Sequence, residues 1–120
     1  MKLNEEKRGK ATIFSLEGRL DSNSSPDVEK RISESISKGE KEVVLDFSDL
    51  EYISSAGIRV LVHCNKELEK QHGHIYLASV PKNIEHVLYI TGFLPYFVIY
   101  DNSTQAVEAL SKIEKNERDL

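Results

Sequence analysis

Two adjacent serines, Ser54 and Ser55, are the side chains of this sequence best suited to chemistry. Ala56 and Gly57 follow them, and an apolar run with helical spacing begins at Ile58. This spacing predicts a helix whose N-terminus lies at the serines. A helix N-terminus presents free backbone N–H groups and a partial positive charge, which stabilise an anion such as a phosphate group. Ser55 is therefore a candidate for phosphorylation, with its hydroxyl at an exposed edge that a kinase can reach.

The same two serines also have a purely structural interpretation. Serine is a preferred N-cap residue, so Ser54 or Ser55 can simply cap the predicted helix. From spacing alone, capping is the simpler interpretation. Neighbouring serines can also divide the two roles between them, and residue types alone leave this open.

The remaining reactive side chains do not form a catalytic or metal-binding pattern. The sequence has no glycine-rich phosphate-binding loop and no G-x-S-x-G nucleophile motif. A serine hydrolase using Ser55 and His63 is disfavoured, because two helical turns separate them by about 12 Å. His63 and Cys64 are neighbours on one helix and point in different directions, while His72 and His74 lie in a predicted turn. We therefore predict no enzyme activity, no cofactor and no metal site.

The composition is that of a small soluble domain. The chain has 120 residues, of which 39% are hydrophobic and 30% charged, and its formal net charge is −4. These values predict one domain over residues 1–120. There is no basic stripe, which argues against a nucleic-acid partner. A single cysteine, the lack of a signal peptide and the lack of a membrane-spanning apolar run predict a cytoplasmic protein.

Strand-like and helix-like segments alternate along the chain. The predicted strands are Ala11–Leu16 (ended by Gly18), Val43–Phe47, Ile75–Val80 and Phe97–Tyr100, with a possible further strand before them. The predicted helices begin at Ser25 or Pro26, around Ser55, at Pro81 and at Asn102 or Ser103. Residues 48–54 are predicted to be a loop, and the charged end, residues 112–120, is predicted to fray. The alternation predicts an α/β domain: a mixed, mostly parallel sheet of four to five strands with about four helices.

Several segments together resemble the STAS domain family, and in particular its anti-sigma factor antagonists. The sequence VVLDFS at 43–48 is similar to the family's V-V-L-D-[LF]-S strand, and Tyr52-Ile53 to its aromatic-aliphatic pair. SSAG at 54–57 is similar to the D-S-S-G or D-S-A-G motif that follows. GRLD at 18–21 and TGFL at 91–94 resemble two further family motifs, in the same order along the chain.

The resemblance implies a bacterial partner-switching protein that regulates transcription. Such antagonists bind an anti-sigma factor that is also a serine kinase of the GHKL type, and this binding frees the sigma factor. The kinase then phosphorylates the antagonist, which releases it, and a PP2C-type phosphatase restores the antagonist. The phosphorylated serine of the family corresponds to Ser55.

One residue departs from the family pattern. The position before the phosphorylated serine is usually aspartate, and here it is Ser54. The change removes a carboxylate and places a second hydroxyl beside the first. Phosphorylation could therefore be slower, or divided between the two serines, with Ser55 the first choice and Ser54 the second.

The resemblance also implies a set of partner-binding residues around the phosphorylation site. These are Asp21, Ser54, Ala56, Gly57, Ile58, Arg59 and Phe93. Three of them have structural alternatives: Asp21 as a turn residue that precedes a helix, and Ile58 and Phe93 as core residues.

Two other functions stay open at this point. The chain could be a STAS docking module of a different partner-switching pathway, one that controls a phosphatase, a cyclase or secretion. It could also be a sensor of a small ligand or anion, using the same helix N-terminus.

Overall fold

A computed structural model describes the backbone of residues 1–118 and the side chains of residues 1–111. In this part of the chain the strands are β1 (Lys2–Arg8), β2 (Ala11–Leu20), β3 (Glu42–Ile53), β4 (His74–Ala78) and β5 (Val98–Tyr100). The helices are α1 (Ser25–Ser37), α2 (Ser55–Glu69), α3 (Lys82–Ile90) and α4 (Ser103–Arg118), with a short 3₁₀ helix at Leu94–Tyr96. The predicted fraying of residues 112–120 concerns a segment outside the described side chains.

The five strands form one sheet in the order β1-β2-β3-β4-β5. β1 and β2 are antiparallel, and every other neighbouring pair is parallel. This confirms the predicted α/β class and the mixed, mostly parallel sheet. Buried side chains of α1, α2 and α3 cover one face of the sheet, and Ala106 and Leu110 of α4 cover part of the other.

β1 is the further strand that the sequence left open. Its residues are mostly charged, and only Leu3 packs against the core. Charged residues are common on edge strands, where they discourage pairing with other chains. Backbone pairing with the antiparallel strand β2 defines β1 as a strand. The mostly charged sequence of β1 has no apolar alternation from which this strand could be predicted.

β2 and β3 are both longer than predicted. Gly18 does not end β2; it adopts a φ of +107° within the strand, and the register shifts next to it. The prediction of a loop at 48–54 was wrong, because these residues up to Ile53 pair with the far end of β2. Ser54 therefore follows directly on a paired strand, which gives the candidate site a rigid base.

The first helix begins at Ser25, one residue before Pro26, so Ser25 is not the cap that its residue type suggested. Ser24 occupies the N-cap position, without a side-chain capping bond. Ser25 is already helical and buried, and its hydroxyl donates to the backbone oxygen of Asp21. Two other predicted helix starts are confirmed: Pro81 precedes α3, and Asn102 caps α4 by accepting the N–H of Gln105 at 2.8 Å.

Candidate functional site

Ser54 is the N-cap of α2 and is held from two sides. Its backbone N–H donates to the oxygen of Leu20 in β2 at 2.9 Å. Its side-chain oxygen accepts the N–H of Gly57 at 3.2 Å, and its backbone oxygen accepts the N–H of Ile58 at 3.0 Å. These bonds join the end of the sheet to the first turn of the helix, so the position of α2 is fixed by Ser54.

Ser55 is the first residue of α2 and is exposed. Among the described side chains its hydroxyl has no hydrogen-bond partner, in contrast to that of Ser54. The two adjacent serines therefore have different environments: one side chain is used to cap the helix, and the other is available at the surface. The free N–H groups and partial positive charge of the α2 N-terminus lie beside the available hydroxyl.

Gly57 and Ile58 face the core. A Cβ atom on Gly57 would lie 2.9 Å from both the backbone oxygen and the Cγ atom of Leu20, and 3.0 Å from Cγ1 of Ile53. Ile58 is only 3% exposed and belongs to the main hydrophobic cluster. These two residues hold the start of α2 against the ends of β2 and β3, and in this conformation they present no surface to a partner.

Asp21 organises the turn between β2 and α1. One carboxylate oxygen accepts the backbone N–H groups of Asn23 at 3.0 Å and Ser24 at 3.2 Å. These bonds, helped by the nearby Arg19 guanidinium, hold the pKa of Asp21 below its usual value of 3.8. The turn lies beside Ser54, because the backbone oxygen of Leu20, the residue before Asp21, accepts the N–H of Ser54. Asp21 thus has the structural role of a turn residue and also borders the site.

The exposed rim of the site includes a pair of side chains that the sequence did not single out. The guanidinium carbon of Arg19 lies 4.1 Å from the centre of the Tyr52 ring, a cation–π contact. The two residues are cross-strand neighbours in β2 and β3. A prediction that placed residues 48–54 in a loop had no means of finding this pair. Arg59 is also exposed, and Ala56 is half-buried.

Phe93 lies in the connection between α3 and β5. Its backbone N–H donates to the oxygen of Leu88 at 2.9 Å, and its partly buried ring packs against the main hydrophobic cluster. The structure thus gives Phe93 a core contact, which was the structural alternative for this residue.

The other reactive groups are placed as ordinary structural residues. Cys64 is fully buried, and burial, together with the carboxylates of Glu29 and Glu67, raises the pKa of its thiol to about 12. Nε2 of His63 lies 3.5 Å from a carboxylate oxygen of Glu29. Residues 1–111 contain no group of three or more side chains placed to hold a metal ion. Among the helices described, none is long and apolar enough to span a bilayer.

Comparison with known proteins gives both a sequence match and a fold match. BtrV of Bordetella bronchiseptica, named as an anti-sigma factor antagonist, is 36% identical over 112 residues, which cover 93% of this chain and 96% of BtrV. The unphosphorylated form of the anti-sigma factor antagonist SpoIIAA has a TM-score of 0.81 and 19% identity, covering 92% of this chain and 97% of SpoIIAA. The phosphorylated form of the Bacillus protein SpoIIAA has a TM-score of 0.72 and 20% identity, covering 91% of this chain and 99% of that one.

Because the sequence identity with SpoIIAA is only 19–20%, the structural similarity to SpoIIAA shows a common fold and no more. The sequence evidence for the family is broader, because the model of the STAS domain matches residues 2–106, most of the chain. The strands that carry the quoted motifs and the helix that begins at Ser55 lie within this match. This chain belongs to the STAS domain family.

Proposed function

We propose that this protein is an anti-sigma factor antagonist whose docking is switched by phosphorylation of Ser55. The unphosphorylated form binds an anti-sigma factor that is a GHKL-type serine kinase, and a PP2C-type phosphatase reverses the modification, in a bacterial cytoplasm. The exposed, unbonded hydroxyl of Ser55 at the start of α2 carries this proposal. The names of BtrV and SpoIIAA support the class of partner, and SpoIIAA is known in a phosphorylated form.

The docking surface consists of exposed and partly exposed side chains around Ser55, and we call it the switch face. Its members are Asp21, Ser55, Ala56, Arg59, Arg19 and Tyr52. Arginine and tyrosine are enriched among the residues that dominate binding energy at protein interfaces. Ser54, Gly57 and Ile58 contribute indirectly, because they fix the position of α2. Phe93 also contributes indirectly in this proposal, through its packing against the main hydrophobic cluster.

The charge of a phosphate is sufficient to explain release of the partner. Phosphorylation adds about −1.5 to −2 charges at neutral pH. Burying that charge in a tight, water-poor interface without a counter-charge costs several kcal/mol. A penalty of about 3 kcal/mol weakens binding roughly a hundredfold. The α2 N-terminus stabilises an anion by only about 0.3–1 kcal/mol, at most about 2, so it does not offset that penalty.

The capping role of Ser54 favours Ser55 as the phosphorylated residue. A kinase acting on Ser54 would need to remove its side chain from the hydrogen bond with the Gly57 N–H. Aspartate is also a good N-cap residue, so serine at position 54 keeps the cap and loses only the negative charge. We therefore expect the geometry around Ser55 to survive this departure from the family pattern.

Phosphosite mapping tests the proposal directly. Trypsin releases residues 42–59 as one peptide that carries Ser48, Ser54 and Ser55. In protein isolated from its own host, mass spectrometry should locate phosphate on Ser55. Phosphate on Ser54 would keep the switch but overturn the residue assignment. A peptide that is never phosphorylated, in any growth condition, would favour a constitutive docking module or a small-ligand sensor.

A binding experiment tests whether phosphate at position 55, and not negative charge elsewhere on the surface, releases the kinase. The protein would be prepared with phosphoserine incorporated at position 55, or at position 48 as a control with equal charge. Ser48 is also exposed but lies seven residues earlier, within β3. A GHKL-type kinase encoded beside this gene should bind the unmodified protein and the protein with phosphoserine at position 48 equally well. Its affinity for the protein with phosphoserine at position 55 should be roughly a hundredfold lower. Equal loss with both would argue for non-specific repulsion.

A further inference from the structure

A cavity of about 510 Å³ lies at the end of the sheet opposite to Ser55. It is lined by the β1–β2 turn, the α1–β3 and α2–β4 connections, and one side of α4. Its volume is in the range of about 300–1,000 Å³ that small-molecule sites occupy. β3 starts at this cavity with Glu42 and ends beside the switch face, and a strand of its length spans about 35 Å. The cavity is thus separate from the proposed docking site.

The cavity has a local excess of positive charge in a chain whose net charge is −4. Its charged lining residues are the cations Lys7, Arg8, Lys10 and Lys41 and the carboxylates Glu40 and Glu42. Lys7 forms an ion pair with Glu40, and Lys10 and Glu42 also have partners. Among the described side chains, those of Arg8 and Lys41 have no hydrogen-bond or ion-pair partner. Arg8 is the last residue of β1 and Lys41 lies in the α1–β3 connection, so two separate segments present cations that remain available to a bound anion.

His72, which also lines the cavity, has a strained backbone. Its φ of +62° lies in the left-handed region, which glycine adopts most easily and histidine more readily than most other side chains. The residue lies just after the end of α2, and its N–H donates to the oxygen of Glu69 at 3.1 Å. The N–H of Gly73 donates to the oxygen of Leu68 at 2.8 Å, so His72 is the left-handed residue of the turn that ends α2. This turn places the exposed imidazole of His72 at the cavity.

The base of the cavity is apolar. Ala11 of β2 and Leu110 of α4 are buried, and Val107 is partly buried beside them. A few converging polar groups over an apolar base are the usual composition of a ligand site. We propose that this cavity binds a small organic anion, a phosphate or carboxylate that carries an apolar group. Arg8, Lys41 and His72 bind the anionic part, and the apolar group lies against Ala11, Val107 and Leu110.

An NMR titration of the full chain with phenyl phosphate and with benzoate tests the site and separates the two anion types. The expected result is saturable shifts of the backbone amides at residues 8–10, 39–41 and 72, with a Kd on the order of 1 mM or tighter for one of the probes. Benzyl alcohol, which lacks the anion, should bind much more weakly. Shifts confined to the start of α2, equal shifts with benzyl alcohol, or no saturable shift would each overturn the proposal.

Variants separate a binding role from a structural one. The double variant R8Q/K41Q should lose about tenfold or more in affinity, because it removes both unpaired cations. The matched control K66Q/K82Q changes two exposed cations elsewhere and should bind normally. H72G relieves the strained φ, so its melting temperature should stay equal or rise while its affinity falls. Unchanged affinity in both R8Q/K41Q and H72G would refute the site.

Discussion

The side-chain oxygen of Ser54 accepts the backbone N–H of Gly57 at 3.2 Å. This bond satisfies one of the N–H groups that every helix N-terminus leaves without a partner inside the helix. It also keeps the Ser54 side chain directed into the helix, while the adjacent Ser55 is exposed. The same short sequence of small residues thus supplies a fixed cap and an accessible hydroxyl.

Removal of the cap should destabilise the domain. We expect Ser54→Ala to lower the free energy of unfolding by about 1 kcal/mol, because the Gly57 N–H loses its partner. Ser54→Asp should restore most of the loss, since aspartate also caps well. Urea denaturation of the three proteins measures this. Ser55→Ala is the control and should stay within about 0.5 kcal/mol of the parent; an equal loss there would contradict separate roles for the two serines.

Gly57→Ala should be destabilising although alanine is the better helix former. Helix propensity favours alanine by about 1 kcal/mol. The new Cβ atom, however, would lie 2.9 Å from the backbone oxygen of Leu20, which cannot move without disturbing β2. Overpacking of this kind costs about 1–3 kcal/mol, so we expect a net loss of stability in urea denaturation. Arg59→Ala, in the same region of the helix but exposed, serves as the control. A stabilised Gly57→Ala protein would show that α2 can shift outward freely.

The charge on Asp21 should make stability depend on pH in acid. Hydrogen bonds from the backbone N–H groups of Ser24 and Asn23 lower the pKa of Asp21 below 3.8. A lowered pKa means that its contribution is complete above the pKa of the unfolded chain and is lost as the pH falls through the native value. Asp21→Asn keeps an acceptor oxygen without the charge. It should be less stable than the parent near neutral pH, and the difference should close in acid; a constant difference would contradict this.

The thiol of Cys64 should be inert in the native protein. Burial raises its pKa to about 12, so almost no thiolate is present at neutral pH, and the sulfur is shielded from reagents. Iodoacetamide should label the native protein very slowly and the urea-unfolded protein rapidly. Because the chain has a single cysteine, intact-mass spectrometry reports this site alone. Rapid native labelling would reveal local opening of α2.

Much of the architecture could be predicted because the buried segments have clear local patterns. The apolar run at residues 43–45 predicted a central strand, and the helical spacing from Ile58 predicted α2 with its start at the serines. α4 covers only part of its face of the sheet, so the far ends of β2 and β3 carry exposed polar residues such as Glu17 and Asp49. Polar strand ends look like loops in sequence, and this is why residues 48–54 were assigned wrongly.

The parts of the candidate site that the sequence could not supply depend on contacts between distant residues. The Arg19–Tyr52 contact requires the register of β2 against β3, which no local pattern contains. The division of roles between Ser54 and Ser55 required the hydrogen bond to Gly57, since both serines suit a helix start equally well. The sequence likewise could not show that Arg8 and Lys41 lack partners, because this depends on how three separate segments of the chain come together at the cavity.

The order of strands in the sheet matches their order in the chain, and this affects how the protein can be made. As the chain leaves the ribosome, each strand finds its partner already synthesised, and no strand must wait for a later one to be inserted beside it. The β1–β2 hairpin offers an edge to β3, which then offers one to β4. We therefore expect nascent chains to gain protease resistance in steps as successive strands emerge, a sequence that stalled ribosome complexes of increasing length would reveal.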